Sequence, residues 1–268
     1  MTPSSGSGEV VFLDDFASGE LDRSVWHVRV TGHVVNDEQQ AYVDSPETVY
    51  VEPDGAGGHV LVLHARHRPG FVTADGQRFD FTSGRLDTRG TFECRYGTVE
   101  ARMQLPEGAG LWPAFWMFGD GPWPDTGEID VMEYAGEPDW VTCAAHGRGY
   151  SGEGALVNRA YFADGEAATG WHVYSVDWHP DELVFRVDGT LVYRVTRPMV
   201  DFFGPWGFDR DKFLIVNLAI GGTYPFKSNG KRTPHYGLDE AAVDTIDRGH
   251  ARVLVDWVRV TGNGGGRS

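Results

Sequence analysis

The chain has 268 residues, 41% hydrophobic and 23% charged, an ordinary balance for a globular protein, and is long enough for one large β domain or two small ones. A formal net charge of −16 argues against nucleic acid or an anionic polymer as partner, since either would need clustered Lys and Arg; a neutral partner is expected. Two cysteines are too few for a disulfide scaffold, and no apolar run is long enough to span a bilayer as a helix, so no membrane partner is expected.

In chain order, Met1-Thr2-Pro3-Ser4-Ser5-Gly6-Ser7-Gly8 lacks the basic and apolar regions of a signal peptide. It reads as a disordered leader or an expression remnant. Val10-Val11-Phe12 opens a first strand, and Leu13-Asp14-Asp15-Phe16 leads into a loop with a short turn over 21–26. Segments 48–52 and 60–65 read as strands around the turn signal Pro53-Asp54-Gly55. Over 96–105 the alternation is clear: Tyr96, Thr98, Glu100 and Arg102 take one face, and Gly97, Val99, Ala101, Met103 and Leu105 the other. Leu183, Phe185 and Val187 repeat the period, and Asp188-Gly189 turns the chain into Leu191-Val192-Tyr193. Segments 213–220 and 253–260 supply late strands, and the Gly-rich tail 262–268 is expected to fray. No helix-period run of useful length, internal repeat or composition shift interrupts this pattern, so 9–261 reads as one domain. Cys94 and Cys143 could form one bridge or stay as buried thiols. Many short strands with frequent turns indicate an all-β sandwich or barrel, between which periodicity does not choose.

The chemistry concentrates in Gly127-Glu128-Ile129-Asp130-Val131-Met132-Glu133-Tyr134. In a strand Glu128 and Asp130 point one way and Ile129 and Val131 the other, and strict alternation would throw Glu133 onto the opposite face. One extra residue near Met132, a β-bulge, shifts the register and returns Glu133 to its partners. Like charges this close resist ionising together, so at least one acid should have a raised pKa. A carboxylic acid beside a carboxylate is what glycoside cleavage needs: one protonates the leaving oxygen while the other attacks the sugar carbon or activates water. A lone Glu-x-Asp would read as a solvated edge strand with acidic outward positions; the flanking tryptophans count against that here.

The run resembles the active-site strand of glycoside hydrolase family 16, whose pattern is Glu, aliphatic, Asp, aliphatic, an optional extra residue, Glu. The form with the extra residue is similar to the laminarinase-like, β-1,3-glucanase branch. Thr82-Ser83-Gly84-Arg85, Tyr96-Gly97-Thr98-Val99-Glu100-Ala101-Arg102 and Leu111-Trp112-Pro113-Ala114-Phe115-Trp116-Met117 match the family in order and spacing upstream. His146-Gly147, Asn217-Leu218-Ala219-Ile220-Gly221-Gly222 and Val255-Asp256-Trp257-Val258-Arg259-Val260 do so downstream.

The resemblance implies a jelly-roll sandwich of two curved antiparallel sheets with an open concave cleft, acting as a monomer outside the cell on a neutral β-glucan. It implies Glu128 as nucleophile, Glu133 as general acid and then base, and Asp130 as the group that holds and tunes them, with no cofactor for catalysis. Trp112 and Trp116 would stack on the apolar faces of sugar rings. Asn36, Arg85, His146, Asn217 and Tyr224 would bind substrate. A structural Ca²⁺ is a further family expectation, held by Glu9 and Asp256 if the termini pair. Two departures fall in segments expected to line the cleft. Arg148 stands where such chains usually carry Pro, and Thr223-Tyr224-Pro225 stands where they tend to carry Asn-Trp-Pro. The alternatives are the same chemistry on mixed-linkage glucan or a galactan, and a binding module that has lost catalysis.

Overall fold

The computed structural model describes residues 8–30 and 34–262. The leader expected over 1–8 and the tail expected over 262–268 lie outside the described residues except for Gly8 and Gly262. Two eight-stranded antiparallel sheets and a small three-stranded one form the framework of the described residues. The first runs β14 (Leu156–Tyr161), β13 (Trp140–His146), β12 (Glu128–Glu133), β11 (Leu111–Phe118), β18 (Lys212–Ile220), β8 (Arg85–Asp87), β2 (His27–Val28), with β9 (Glu93–Cys94) also on β18. The second runs β17 (Thr190–Thr196), β16 (Glu182–Val187), β15 (Trp171–Trp178), β10 (Gly97–Gln104), β19 (Arg252–Thr261), β5 (His59–His64), β4 (Val49–Pro53), with β1 (Val10–Asp14) on β19. The third is β3 (Gln40–Tyr42), β7 (Arg78–Ser83) and β6 (Arg66–Val72), with β3 and β7 parallel. Each large sheet has two open ends, so the architecture is a sandwich and not a barrel.

Alternation builds the core. On β10, Gly97, Val99, Ala101 and Met103 are buried while Thr98, Glu100, Arg102 and Gln104 are only partly so. Val253, Val255, Val258 and Val260 of β19 join the same buried cluster. From the other sheet come Phe115 and Met117, Ile129, Val131 and Met132, and Leu214, Val216, Leu218 and Ile220. Full burial of each such side chain contributes about 1.5–3 kcal/mol. Asp188 and Gly189 both have positive φ, 49° and 78°, as a type I′ turn joining β16 to β17 requires.

Three short helices were not apparent from periodicity: α1 (Arg197–Val200), α2 (Thr223–Asn229) and α3 (Glu240–Asp247). The longest, α3, buries only Ala242 and Ile246 and starts at Asp239, whose carboxylate accepts from the Ala242 N–H at 2.7 Å. Two buried anchors are too few to make a helical period stand out. Cys94 and Cys143 are both free and buried, and burial pushes the Cys94 thiol up to about 12.

The expected calcium pair does not assemble. The termini do pair, β1 on β19, but the register sets Val10 opposite Thr261, and the Glu9 carbonyl accepts from the Gly262 N–H. Asp256 lies six residues back along that strand, roughly 20 Å at 3.3 Å per residue. Its carboxylate is instead bound by Arg102 at 2.7 Å. Glu9 and Asp256 therefore do not form one cation site.

Lys212, fully buried at the start of β18, ties loops together below the outer face of the first sheet. Its ammonium donates to the carbonyls of Thr126, Gly127 (2.9 Å) and Gly207 (3.4 Å), with Trp178 and Phe208 rings 5.7 Å away. Replacing it with Met would leave those carbonyls unpartnered at about 1–3 kcal/mol for each one that stays dry. Lys212→Met is expected to lower the melting temperature by about 5–15 °C, at roughly 2–4 °C per kcal/mol in a chain of this size. An unchanged thermal melt would show that the lysine is not an anchor.

Candidate active site

β12 carries the bulge. Against β11, Met132 pairs with Phe115 and Asp130 with Trp116, so Val131 has no partner of its own. Against β13, Asp130 pairs with Ala144 and Glu133 with Thr142, two positions apart where β12 spends three. Val131 and Met132 thus both enter the core, and Glu128, Asp130 and Glu133 share the outer face. Directly opposed residues lie on the same face of a sheet, so this face continues through Trp112, Ala114 and Trp116 on β11 and Thr142, Ala144 and His146 on β13.

Each acid has its own attachments. The Trp123 indole N–H donates to Glu128 Oε2 at 3.2 Å, and the Trp112 indole N–H to Glu133 Oε1 at 3.1 Å. Asp130 is 4% exposed, and its Oδ2 lies 3.2 Å from His146 Nε2 without an aligned hydrogen bond. His146 Nε2 is also 3.9 Å from Glu128 Oε1. One ligand atom each from Glu128, Asp130 and His146 lies within 4.8 Å of the others, the one such grouping found among the described residues.

Burial raises all three carboxyl pKa values. Burial first, then the charge of Asp130, pushes both Glu128 and Glu133 up from 4.5 to about 8, against a lowering pull from His146 and from their respective indole N–H groups. Burial alone raises Asp130. The triad therefore retains at least one proton at neutral pH, leaving an acid and a carboxylate together on one surface.

The remaining expected residues form two groups. Tyr224, on α2, packs against Trp112 with ring centroids 5.0 Å apart, and its hydroxyl meets Thr142 Oγ1 at 2.7 Å. Arg85 lies over the Trp116 ring at 5.0 Å, and the Trp116 N–H donates to Asn217 Oδ1 at 2.7 Å. Asn217 Nδ2 in turn donates to the Tyr42 hydroxyl at 3.1 Å. Asn36 is exposed at φ 53°, with its carbonyl accepting from the Thr223 N–H. Its neighbour Glu38, raised by burial, accepts from Gln40 Nε2 at 2.7 Å and feels Arg85. Glu9 and Asp256 stand apart from the face, and Asn36 is joined to it through its backbone carbonyl on Thr223.

Sequence reading missed Trp123, Glu38, Gln40, Tyr42 and Thr142. An indole between two prolines, five residues ahead of Glu128, was a usable signal for Trp123. Nothing local marks Gln40, whose Oε1 accepts from the Ile220 N–H across 180 residues of chain.

Residues 36–217 match the family model described as Glycosyl hydrolases family 16. The chain is 35% identical to a β-glucanase of Rhodothermus marinus over 265 residues, covering 94% of this chain and 84% of that one. It is 32% identical to glucan endo-1,3-β-glucosidase A1 of Niallia circulans, covering 96% of this chain but only 38% of that longer protein. The structure superposes on the endo-β-1,3-glucanase of Pyrococcus furiosus with a TM-score of 0.83 at 32% identity, covering 96% of this chain and 95% of the other.

The raised carboxyl pKa values predict a pH-dependent stability. A group that binds protons more tightly when folded contributes stability fully present below its unfolded pKa and lost as pH rises through the folded one. For Glu133 that window runs from 4.5 to about 8. Glu133→Gln should therefore melt higher than the parent at pH 8, by about 1–3 kcal/mol or several degrees, and show little difference at pH 4.5. A gap that does not widen with pH would contradict the raised pKa.

Proposed function

Because the chain belongs to family 16 of the glycosyl hydrolases, we propose that it is a retaining endo-β-1,3-glucanase acting on neutral, laminarin-type glucan. The observation that carries this reading is the bulge in β12, which sets Glu128, Asp130 and Glu133 on one outer face. In the first step a Glu128 carboxylate oxygen attacks the anomeric carbon as the glycosidic C–O bond breaks. Glu133 gives its proton to the departing oxygen, and a covalent glycosyl ester forms on Glu128. In the second, Glu133, now a carboxylate, takes a proton from water, whose oxygen displaces Glu128 and restores the original configuration. Asp130 lies between the two glutamates; burial first, and Asp130 second, raises the Glu133 carboxyl so that it stays protonated. This chemistry needs no cofactor.

Trp112, Trp116 and Tyr224 offer aromatic faces to sugar rings, and Arg85, Asn217 and Asn36 offer polar groups to their hydroxyls. Residues 9–261 act as one catalytic domain. The protein works as a monomer outside the cell, where such a polymer lies. Among the described residues no helix is long and apolar enough to cross a membrane. The reading as an inactive glucan-binding module is weaker, because both glutamates and their indole partners are in place.

Product analysis on laminarin, lichenan, curdlan, agarose and xyloglucan tests the substrate. Oligosaccharides from laminarin are expected, activity confined to agarose would overturn the glucan reading, and no cleavage of any polymer would restore the binding module. The roles are tested by azide. Glu133→Ala should lose about 10²- to 10⁴-fold on laminarin, whose leaving alkoxide needs a proton. It should form its intermediate readily from an aryl β-glucoside oligomer, and azide should release the β-glycosyl azide. Glu128→Ala should give the α-azide instead; the α product from Glu133→Ala would reverse the assignment.

A further inference from the structure

Glu128, Asp130 and His146 present two carboxylates and an imidazole nitrogen within 4.8 Å, a donor set that by composition would suit a divalent cation. The other side of the ring argues against a metal. The backbone N–H of Gly152 donates to His146 Nδ1 at 3.2 Å. A ring nitrogen that accepts carries a lone pair, so in the neutral imidazole the proton sits on Nε2. A histidine that binds a metal through Nε2 needs its lone pair there and normally donates from Nδ1. Here the polarity is reversed, and Nε2 faces Asp130 Oδ2 at 3.2 Å and Glu128 Oε1 at 3.9 Å.

The Gly152 N–H is held independently of the histidine. Gly147 and Tyr150 exchange both backbone hydrogen bonds at 3.0 Å. The fully buried Tyr150 donates its hydroxyl proton to the Pro205 carbonyl at 3.0 Å and accepts from the Gly207 N–H at 3.2 Å. Gly152 itself sits at φ 56° and starts a single 3₁₀ turn closed by Ala155 N–H on its carbonyl. The charged groups facing the ring are Glu128 and Asp130, with Glu133 further along β12, while Trp123 lies 6.2 Å away between ring centroids. Arg148 is turned away into a pair with Asp125.

We infer that His146 is a positioning residue, locked by the Gly152 N–H as its Nε2–H tautomer, so that it turns an N–H edge towards the Asp130–Glu128 carboxylates and neither binds a metal nor relays the catalytic proton. A donor there favours the ionised form of the attacking carboxylate and keeps Asp130 from taking the proton that Glu133 must carry. This rests on the proposed roles of Glu128 and Glu133, but the tautomer itself does not.

The first arm of the test is therefore spectroscopic. Long-range ¹H–¹⁵N correlation on the ¹⁵N-labelled full chain, with His146 assigned by its loss in His146→Gln, should show a pyrrole-like Nε2 and a pyridine-like Nδ1 at neutral pH. The proton on Nδ1, or fast averaging between the two nitrogens, would overturn the lock. The second arm is kinetic. His146→Ala should lose about 10- to 100-fold in kcat on laminarin, the value of a hydrogen bond to a charged group. Its acidic limb of kcat/KM should move to higher pH, because the nucleophile is harder to ionise without the donor. His146→Gln, which keeps an N–H near the Nε2 position, should recover part of both. An acidic limb unmoved in His146→Ala would overturn the positioning role. Inactivity of the unmodified enzyme on every β-glucan would instead remove the proposed reaction, leaving the NMR arm to decide the lock.

Discussion

The site depends on one extra residue in one strand. A β-strand alternates with period two, and Glu128 and Glu133 are separated by an odd number of positions, so an unbroken β12 would put one of them in the core. The shift between Asp130 and Glu133 in the pairing with β13, matched on β11 between Phe115 and Trp116, removes that conflict. It does so by sending two consecutive apolar side chains, Val131 and Met132, inward, where β10, β15 and β19 of the facing sheet supply a core to receive them. The chemistry outside and the packing inside are set by the same local irregularity, and neither can be altered without the other.

Placing three acids over such a core has an electrostatic penalty that the surroundings only partly offset. Two indole N–H groups and one imidazole reach the carboxylates, but none of the arginines forms a salt bridge with them among the described residues. Arg85 is stacked on Trp116, and Arg148 is paired with Asp125. A guanidinium on Glu133 would hold it ionised and end its use as an acid. Neutral indole donors instead orient one oxygen of each glutamate while leaving the proton in place. The buried ammonium of Lys212 supports the turn leading into β12 from below, bonding carbonyls and not the acids.

What was legible in the sequence was local. Alternation marked the two faces of β10, Asp188-Gly189 marked the β16–β17 turn, and the spacing in 128–133 demanded a bulge. Arrangements that depend on register between distant strands were not legible. The Glu9–Asp256 pairing failed because joining the termini says nothing of which residues meet, and each position of slip moves a side chain by about 3.3 Å along the strand. The Glu38–Gln40–Tyr42 segment, brought beside Arg85 and, across 175 residues, to Asn217, left no periodic trace. Trp123 and Gly152 act through the aim of a loop, and loop direction is not encoded in hydrophobic pattern.

A double displacement needs the two glutamate carboxyls roughly 5 Å apart, whereas direct inversion needs the 6.5–9.5 Å that admits a water. The most direct measurement is the anomeric configuration of the new reducing ends, read by ¹H NMR in the first minutes of laminarin cleavage before mutarotation. Double displacement gives the β-anomer first and the α-anomer only as mutarotation proceeds; an initial α-anomer would contradict it.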